Sequence, residues 1–246
     1  MTLATNNTSD LLIESSSEEG IVLESSVVSN NTDHSVNVLS VFDFDGTLTY
    51  HDSFIPFLKF VFGKYRFSRK IIKLVLPTLQ CARRKLTRDE LKEVLIKTFL
   101  TGVDEKWLRE KAEQFCEIYW PKLMRPEGVL GVAAEVESGA EVTICSASPS
   151  LVLKPFARRL GIKLISTELE IVDGKLTGNL VGQNCRREQK VKRLEQVYGD
   201  LTQYHLRAWG DTRGDFELLQ AAQDAHWRHF HKKHYHYKHR QVVAKD

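Results

Sequence analysis

Val38-Leu39-Ser40-Val41-Phe42-Asp43-Phe44-Asp45-Gly46-Thr47-Leu48-Thr49 is the stretch on which the fold turns. Its first five residues read as a strand, and two carboxylates two residues apart follow at once. Alternation along an extended chain puts positions i and i+2 on one face, so Asp43 and Asp45 can point into one site. Gly46 lets the chain turn sharply, and Thr47 adds a hydroxyl and a backbone N–H beside the carboxylates. Two like charges held together need a cation, a shared proton or a reaction that uses both. Asp, Gly and Thr are also ordinary turn residues, so the stretch alone fits a plain turn as well.

Three later segments argue for more than a turn. Glu141-Val142-Thr143-Ile144-Cys145-Ser146-Ala147-Ser148-Pro149 is a β-prone run ending in hydroxyls, with Pro149 near the start of a helix. Asn184 to Leu194 is basic and reads as a helix carrying Lys190. Leu206-Arg207-Ala208-Trp209-Gly210-Asp211-Thr212-Arg213-Gly214-Asp215 is a second strand running into a turn with two carboxylates.

In this order the segments resemble the four motifs of the haloacid dehalogenase superfamily of aspartyl phosphatases: Asp43/Asp45, Ser146, Lys190, and Gly210-Asp211 with Asp215. The resemblance covers roughly residues 37–230. Residues 169–178 also resemble the hairpin of subfamily IB, the branch that contains phosphoserine phosphatase and carries a helical cap between its first two motifs. The resemblance implies Asp43 as nucleophile, forming an aspartyl-phosphate, and Asp45 as acid and then base. It implies Mg²⁺ held by the carboxylates of Asp43 and Asp211 and the backbone carbonyl of Asp45. Lys190 and Ser146, with Ala147 beside it, would face the phosphate, while Asp215 and Thr47 would support the site from behind. Asp52 stands where phosphoserine phosphatases carry a glutamate, and Ser146-Ala147-Ser148 where they carry Ser-Gly-Gly. Asp52 is therefore a candidate substrate contact, and equally a helix N-cap.

The expected fold is α/β: a Rossmann-like parallel sheet covered by helices, with a small helical cap inserted after the first strand. The core spans 37–49 and 126–230, and the cap about 50–125. Thr87-Arg88-Asp89-Glu90 reads as a capping box opening a helix to about Leu100. Asp104 caps the next helix, which Pro121 is expected to end, and Pro126 begins another. Beyond it the pattern gives strand 141–145, helix 150–159, strand 163–166, hairpin 168–181, helix 187–198, strand 204–209, helix 214–222 and a last strand near 226–230. In such sheets ligands bind beyond the carboxyl ends of the strands, where all four motifs fall.

Residues 1–36 hold six acids and no Lys or Arg, and their Ser/Asn/Thr-rich composition predicts a disordered tail. The whole chain has 35 basic and 32 acidic residues, so the remainder carries 35 − 26, or +9. Such a body favours anionic ligands. Residues 231–246 form a basic, His-rich tail with no specific nucleic-acid motif. Cys81, Cys116, Cys145 and Cys185 lie far apart in sequence, which predicts a reducing compartment rather than a disulfide framework. With no secretory signal pattern at the N-terminus, the expected location is the cytoplasm. Oligomeric state is not legible.

The function expected is Mg²⁺-dependent hydrolysis of a small phosphorylated metabolite such as phosphoserine. Three alternatives stay open. The Lys/Arg-studded apolar stretch 54–86 also suits an anionic membrane surface, hence a lipid phosphatase similar to phosphatidylglycerophosphatase C. Phosphoryl transfer to an acceptor other than water would use the same motifs. A catalytically silent binding protein could share the scaffold.

Overall fold

The computed structural model describes residues 37–83 and 87–231, so the expectations for the N-terminal tail and for the His-rich tail beyond His231 lie outside the described residues. Six strands form one sheet: β1 Val38–Phe42, β2 Glu141–Pro149, β3 Lys163–Val172, β4 Lys175–Val181, β5 His205–Gly210 and β6 Asp224–Trp227. Their order is β4-β3-β2-β1-β5-β6, and every pairing is parallel except β3 with β4. The fold is therefore α/β, with the strand that ends in Asp43 near the centre.

β1 is buried on both faces, as a central parallel strand must be. Leu39 and Val41 join Cys145, Ile165, Leu206 and Ala208 on one side. Phe42 lies on the other with Ile144, Phe156 and Trp209. Phe42 and Trp209 are register partners and stack at 4.1 Å, and Trp209 stacks in turn on His226 at 4.5 Å. This aromatic row crosses three strands. Ser40 would leave a buried hydroxyl unpaired, but it donates to Glu135 Oε2 at 2.6 Å.

Five helices lie between β1 and β2: α1 Phe54–Ile72, α2 Val75–Ala82, α3 Arg88–Leu100, α4 Glu105–Leu123 and α5 Pro126–Glu137. The capping box at Thr87 and Glu90 is formed, and the Asp104 side chain accepts from Trp107 N at 2.8 Å. α1 is broken at Gly63, whose φ of +69° is accessible to glycine with little strain. Before the break, Phe57 packs edge-on against Phe115 of α4 at 5.4 Å. Phe115 reaches Phe156 at 6.1 Å, so the inserted helices and the sheet share one apolar cluster. The loop 102–105 also bonds to the β3–β4 hairpin, with Gly102 N donating to Leu176 O at 2.8 Å and Leu176 N to Val103 O at 2.9 Å.

The remaining helices are α6 Ser150–Leu160, α7 Glu188–Tyr198 and α8 Phe216–Ala221. Three expectations need correction. Pro121 lies inside α4, which continues to Leu123. In this last turn proline forfeits one exposed hydrogen bond rather than breaking a buried ladder. The expected strand 163–166 and the first arm of the hairpin are one strand, β3, pairing with β2 on one edge and β4 on the other. The last strand is 224–227 rather than 226–230, because Arg228, at φ +53°, leaves the extended conformation and residues 228–230 form a turn.

Candidate active site

Asp43, Ser146 and Asp211 stand at or near the carboxyl ends of β1, β2 and β5, three adjacent strands, and α7 brings Lys190 to the same end. Asp43 N extends the β1–β5 ladder by donating to Trp209 O at 2.9 Å. That bond fixes the backbone from which the Asp43 carboxylate projects. Gly46 then reverses the chain at φ +87°, and a Cβ there would collide with the Asp211 carboxylate. The backbone conformation and the close approach both require glycine.

Lys190 is 1% exposed, and its Nζ donates to Asp43 Oδ1 and to Asp215 Oδ1, each at 2.6 Å. Burial opposes its charge, but Asp215 and Asp43 outweigh that and hold the ammonium pKa well above its ordinary value. Asp215 is filled on its other oxygen as well. Oδ2 accepts from Thr212 N at 3.0 Å, Thr212 Oγ1 at 2.9 Å and Asp211 N at 3.3 Å. Burial pushes its pKa up, but Lys190 and the Thr212 donors hold it below the usual carboxylate range. Asp215 is thus an orienting anion, placing Lys190 and the turn that carries Asp211.

Asp43 behaves in the opposite sense. Burial, then the charge of Asp215, raises its pKa well above the ordinary value despite Lys190. Asp211 is raised too, by burial and by Asp215, although Thr47 Oγ1 donates to its Oδ1 at 3.3 Å. One oxygen each from Asp43, Asp211 and Asp215 lies within 4.8 Å of the others. Asp43 Oδ2 and Asp211 Oδ2 take no hydrogen bond from the described residues. Carboxylates gathered with an oxygen of Asp43 and one of Asp211 left without a donor form a hard anionic set, the chemistry that suits Mg²⁺.

The Asp45 carboxylate faces elsewhere. Oδ1 accepts from Ser53 N at 2.6 Å, and Oδ2 accepts from the Ser148 hydroxyl. Burial, then the neighbouring charge of Asp52, raises its pKa to about 6 against the pull of those donors. The two carboxylates of one short motif therefore differ in partners and environment, the general route to distinct acid and base roles.

Ser146 is buried at the end of β2, and its Oγ accepts from Ser148 N at 3.2 Å. Ala147 offers its carbonyl to Thr167 Oγ1 at 2.7 Å and to Lys92 Nζ. Asp52 caps α1, accepting from Ile55 N at 2.9 Å, and reaches Asp45 only through its charge.

Several residues at the site carry no motif. Lys92 descends from α3 to Ala147 O and to Asn184 Oδ1 at 2.8 Å, and burial lowers its pKa to about 8. Asn184 in turn donates to Asp89 on α3. In sequence Lys92 is one of two lysines on its helix, and only the packing of α3 separates it from Lys97. Ser148 lay beside the second motif and was legible by position alone. Arg125 Nε donates to Thr49 O at 3.0 Å and its NH1 to Phe230 O at 3.2 Å. His231 sits 2.9 Å from Gly46 O. The cysteines 145 and 185, distant in sequence, have their sulfurs 3.8 Å apart as free thiols.

A model of the haloacid dehalogenase-like hydrolase family matches residues 40–220. Protein CicA of Caulobacter vibrioides is 39% identical over 198 residues, which are 80% of this chain and 88% of that protein. A protein of unknown function from Bordetella pertussis Tohama I superposes with a TM-score of 0.67 at 26% identity, covering 76% of this chain and 87% of that one. A phosphoserine phosphatase solved as a phospho-aspartyl intermediate analogue superposes at 0.53 with 20% identity, covering 76% and 84%, which is a likeness of fold. Together with the motif order and the site geometry, these matches place the chain in the haloacid dehalogenase-like hydrolase family.

Proposed function

We propose that the protein is a Mg²⁺-dependent phosphomonoester hydrolase acting through an aspartyl-phosphate on a small phosphorylated metabolite such as phosphoserine. The observation that carries this reading is the difference in partners between Asp43 and Asp45. Asp43 is buried against the Lys190 ammonium at 2.6 Å, whereas Asp45 is held by Ser53 N and the Ser148 hydroxyl.

Lys190 occupies Asp43 Oδ1 and leaves Oδ2 to attack phosphorus. As the new P–O bond forms, the ester P–O bond breaks and Asp45 gives its proton to the leaving oxygen. Asp45, now a carboxylate, takes a proton from the incoming water, whose oxygen attacks the same phosphorus. The acyl-phosphate P–O bond breaks, inorganic phosphate leaves and Asp43 is restored. Lys190 neutralises charge on the transferred group, and the Ser146 and Ser148 hydroxyls stand beside its path. Bound Mg²⁺, held by Asp43 and Asp211 with Asp215 behind them, would supply further neutralisation of the phosphoryl oxygens.

The test is phosphate release from a panel of phosphoserine, sugar phosphates and nucleoside monophosphates, with and without Mg²⁺. Release that requires Mg²⁺ and disappears in Asp43→Asn supports the reading. Full release in that variant would remove Asp43 as nucleophile, and no release from any ester would favour the silent-binding alternative.

A further inference from the structure

Residues 53–88 contain no acid, yet they hold Lys59, Lys64, Arg66, Arg69, Lys70, Lys73, Arg83, Arg84, Lys85 and Arg88. The part before Gly63 packs into the core through Phe54, Phe57 and Leu58, and beyond it Phe67 and Leu74 are also buried. Other large apolar residues after Gly63 behave differently. Tyr65 is 74% exposed, Ile72 70%, Val75 61%, Leu76 62% and Leu79 44%. Ile72, Val75, Leu76 and Leu79 follow the i, i+3, i+4, i+7 spacing, one stripe along the end of α1 and α2. Scattered exposed apolar residues are ordinary, but a contiguous stripe of large aliphatic side chains needs a cover.

The surrounding charge identifies the cover. Arg66, Arg69, Lys73 and Arg83 are exposed, and no carboxylate among the described residues pairs with them. Aliphatic residues beside unpaired Lys and Arg are the composition of an interfacial helix: the apolar face enters the acyl boundary while the cations reach anionic headgroups. A nucleic acid would use the charges but leave the aliphatic stripe in water. No helix among the described residues is long and apolar enough to cross a membrane, so the mode is lying on the surface.

We propose that the C-terminal half of α1 and α2 form a docking face for an anionic lipid bilayer. The placement matters for chemistry. α2 packs on α3, and α3 carries Asp89 and Lys92 to the rim of the candidate site. Docking there would bring membrane-borne phosphomonoester headgroups toward Asp43. This last step rests on the phosphatase reading, whereas the docking itself does not.

The experiment is sedimentation of the full chain with phosphatidylcholine vesicles, with or without phosphatidylglycerol, beside a single-stranded RNA control. Turnover of a soluble phosphomonoester is followed on the same preparations. Binding should require phosphatidylglycerol and weaken with salt. Arg69→Gln with Lys73→Gln should weaken it roughly thirtyfold, and Ile72→Ser with Leu76→Ser should weaken it while leaving the thermal midpoint and soluble turnover unchanged. No binding to anionic vesicles at low salt, or binding to RNA alone, overturns the docking face even where soluble turnover is intact. Vesicle binding without any turnover would uphold the docking face and reject the phosphatase reading.

Discussion

Replacing Lys190 with methionine keeps much of the side chain's length and removes its charge, so it isolates what the ammonium does. Lys190 is 1% exposed and is shared between Asp43 and Asp215 at 2.6 Å each. Removing one partner of a buried ion pair costs about 3–5 kcal/mol, because the survivor is left charged and dry. Here two carboxylates survive together. For a domain of this size that loss lowers the thermal midpoint by about 6–20 °C. Burial and mutual repulsion already raise Asp43, and without Lys190 nothing as strong opposes them. A carboxyl with a folded pKa above its unfolded value binds extra protons when folded, so stability falls as pH rises between the two values. The Lys190→Met variant should therefore regain stability on acidification from neutral pH toward the ordinary carboxylate range. Asp215→Asn should offset part of the loss in the double variant, a coupling that a double-mutant cycle reads directly. Urea unfolding at neutral and mildly acidic pH provides the measurement. A loss under about 1 kcal/mol that does not change with pH would show that Lys190 is a solvated cation, and would refute the account of the site's electrostatics.

Asp43→Asn should abolish phosphate release, read by a colorimetric assay, while keeping the fold by circular dichroism. Ser148→Ala removes a hydrogen bond that lowers the Asp45 pKa, so the alkaline limb of the kcat/KM profile, where the proposed acid loses its proton, should move from near 6 to higher pH. An unmoved limb would separate Asp45 from the titration. Gly46→Ala forces a side chain into φ +87° and against Asp211. It should cost about 1–3 kcal/mol in unfolding experiments and weaken Mg²⁺ binding measured by calorimetry. Lys92→Met breaks the tie from α3 to Ala147 and Asn184. A charged hydrogen bond contributes about 1.5–3 kcal/mol, so KM for the best substrate should rise about tenfold or more, with a smaller change in kcat.

The strand Val38–Phe42 and the turn after it were legible because a short apolar run, paired acids and glycine report the same local geometry. The order of the four motifs gave the sheet, since a parallel α/β chain returns every strand end to one side. What stayed hidden depends on which face a helix turns inward. Lys92 and Lys97 share α3 and look alike in sequence, but only Lys92 meets Ala147. The pairing of cysteines 145 and 185 depends on α7 lying over β2, which no spacing reports. Residues 64–79 read as apolar and basic, and only their exposure after Gly63 shows that half of that apolar surface is not core.

The two motif carboxylates are set apart by what each borrows from the rest of the fold. Asp43 takes its environment from the sheet and from α7: a backbone bond to Trp209, an ammonium at 2.6 Å, and burial. Asp45 takes much of its environment from the inserted helices. Ser53 N, at the start of α1, holds its Oδ1, and Asp52, capping the same helix, is the charge that raises its pKa. Asp43, the proposed nucleophile, is therefore held by the sheet and α7, whereas Asp45, the proposed acid, is tuned by the start of α1. If α1 shifted away from the sheet, Asp45 would lose a donor that favours its ionised form and a repulsion that disfavours it, and it would gain water. Desolvation is the largest of its perturbations, so hydration would dominate and return the carboxyl toward its ordinary, ionised state. On the proposed mechanism, a movement of α1 and protonation of the leaving group would be linked through two residues, Asp52 and Ser53.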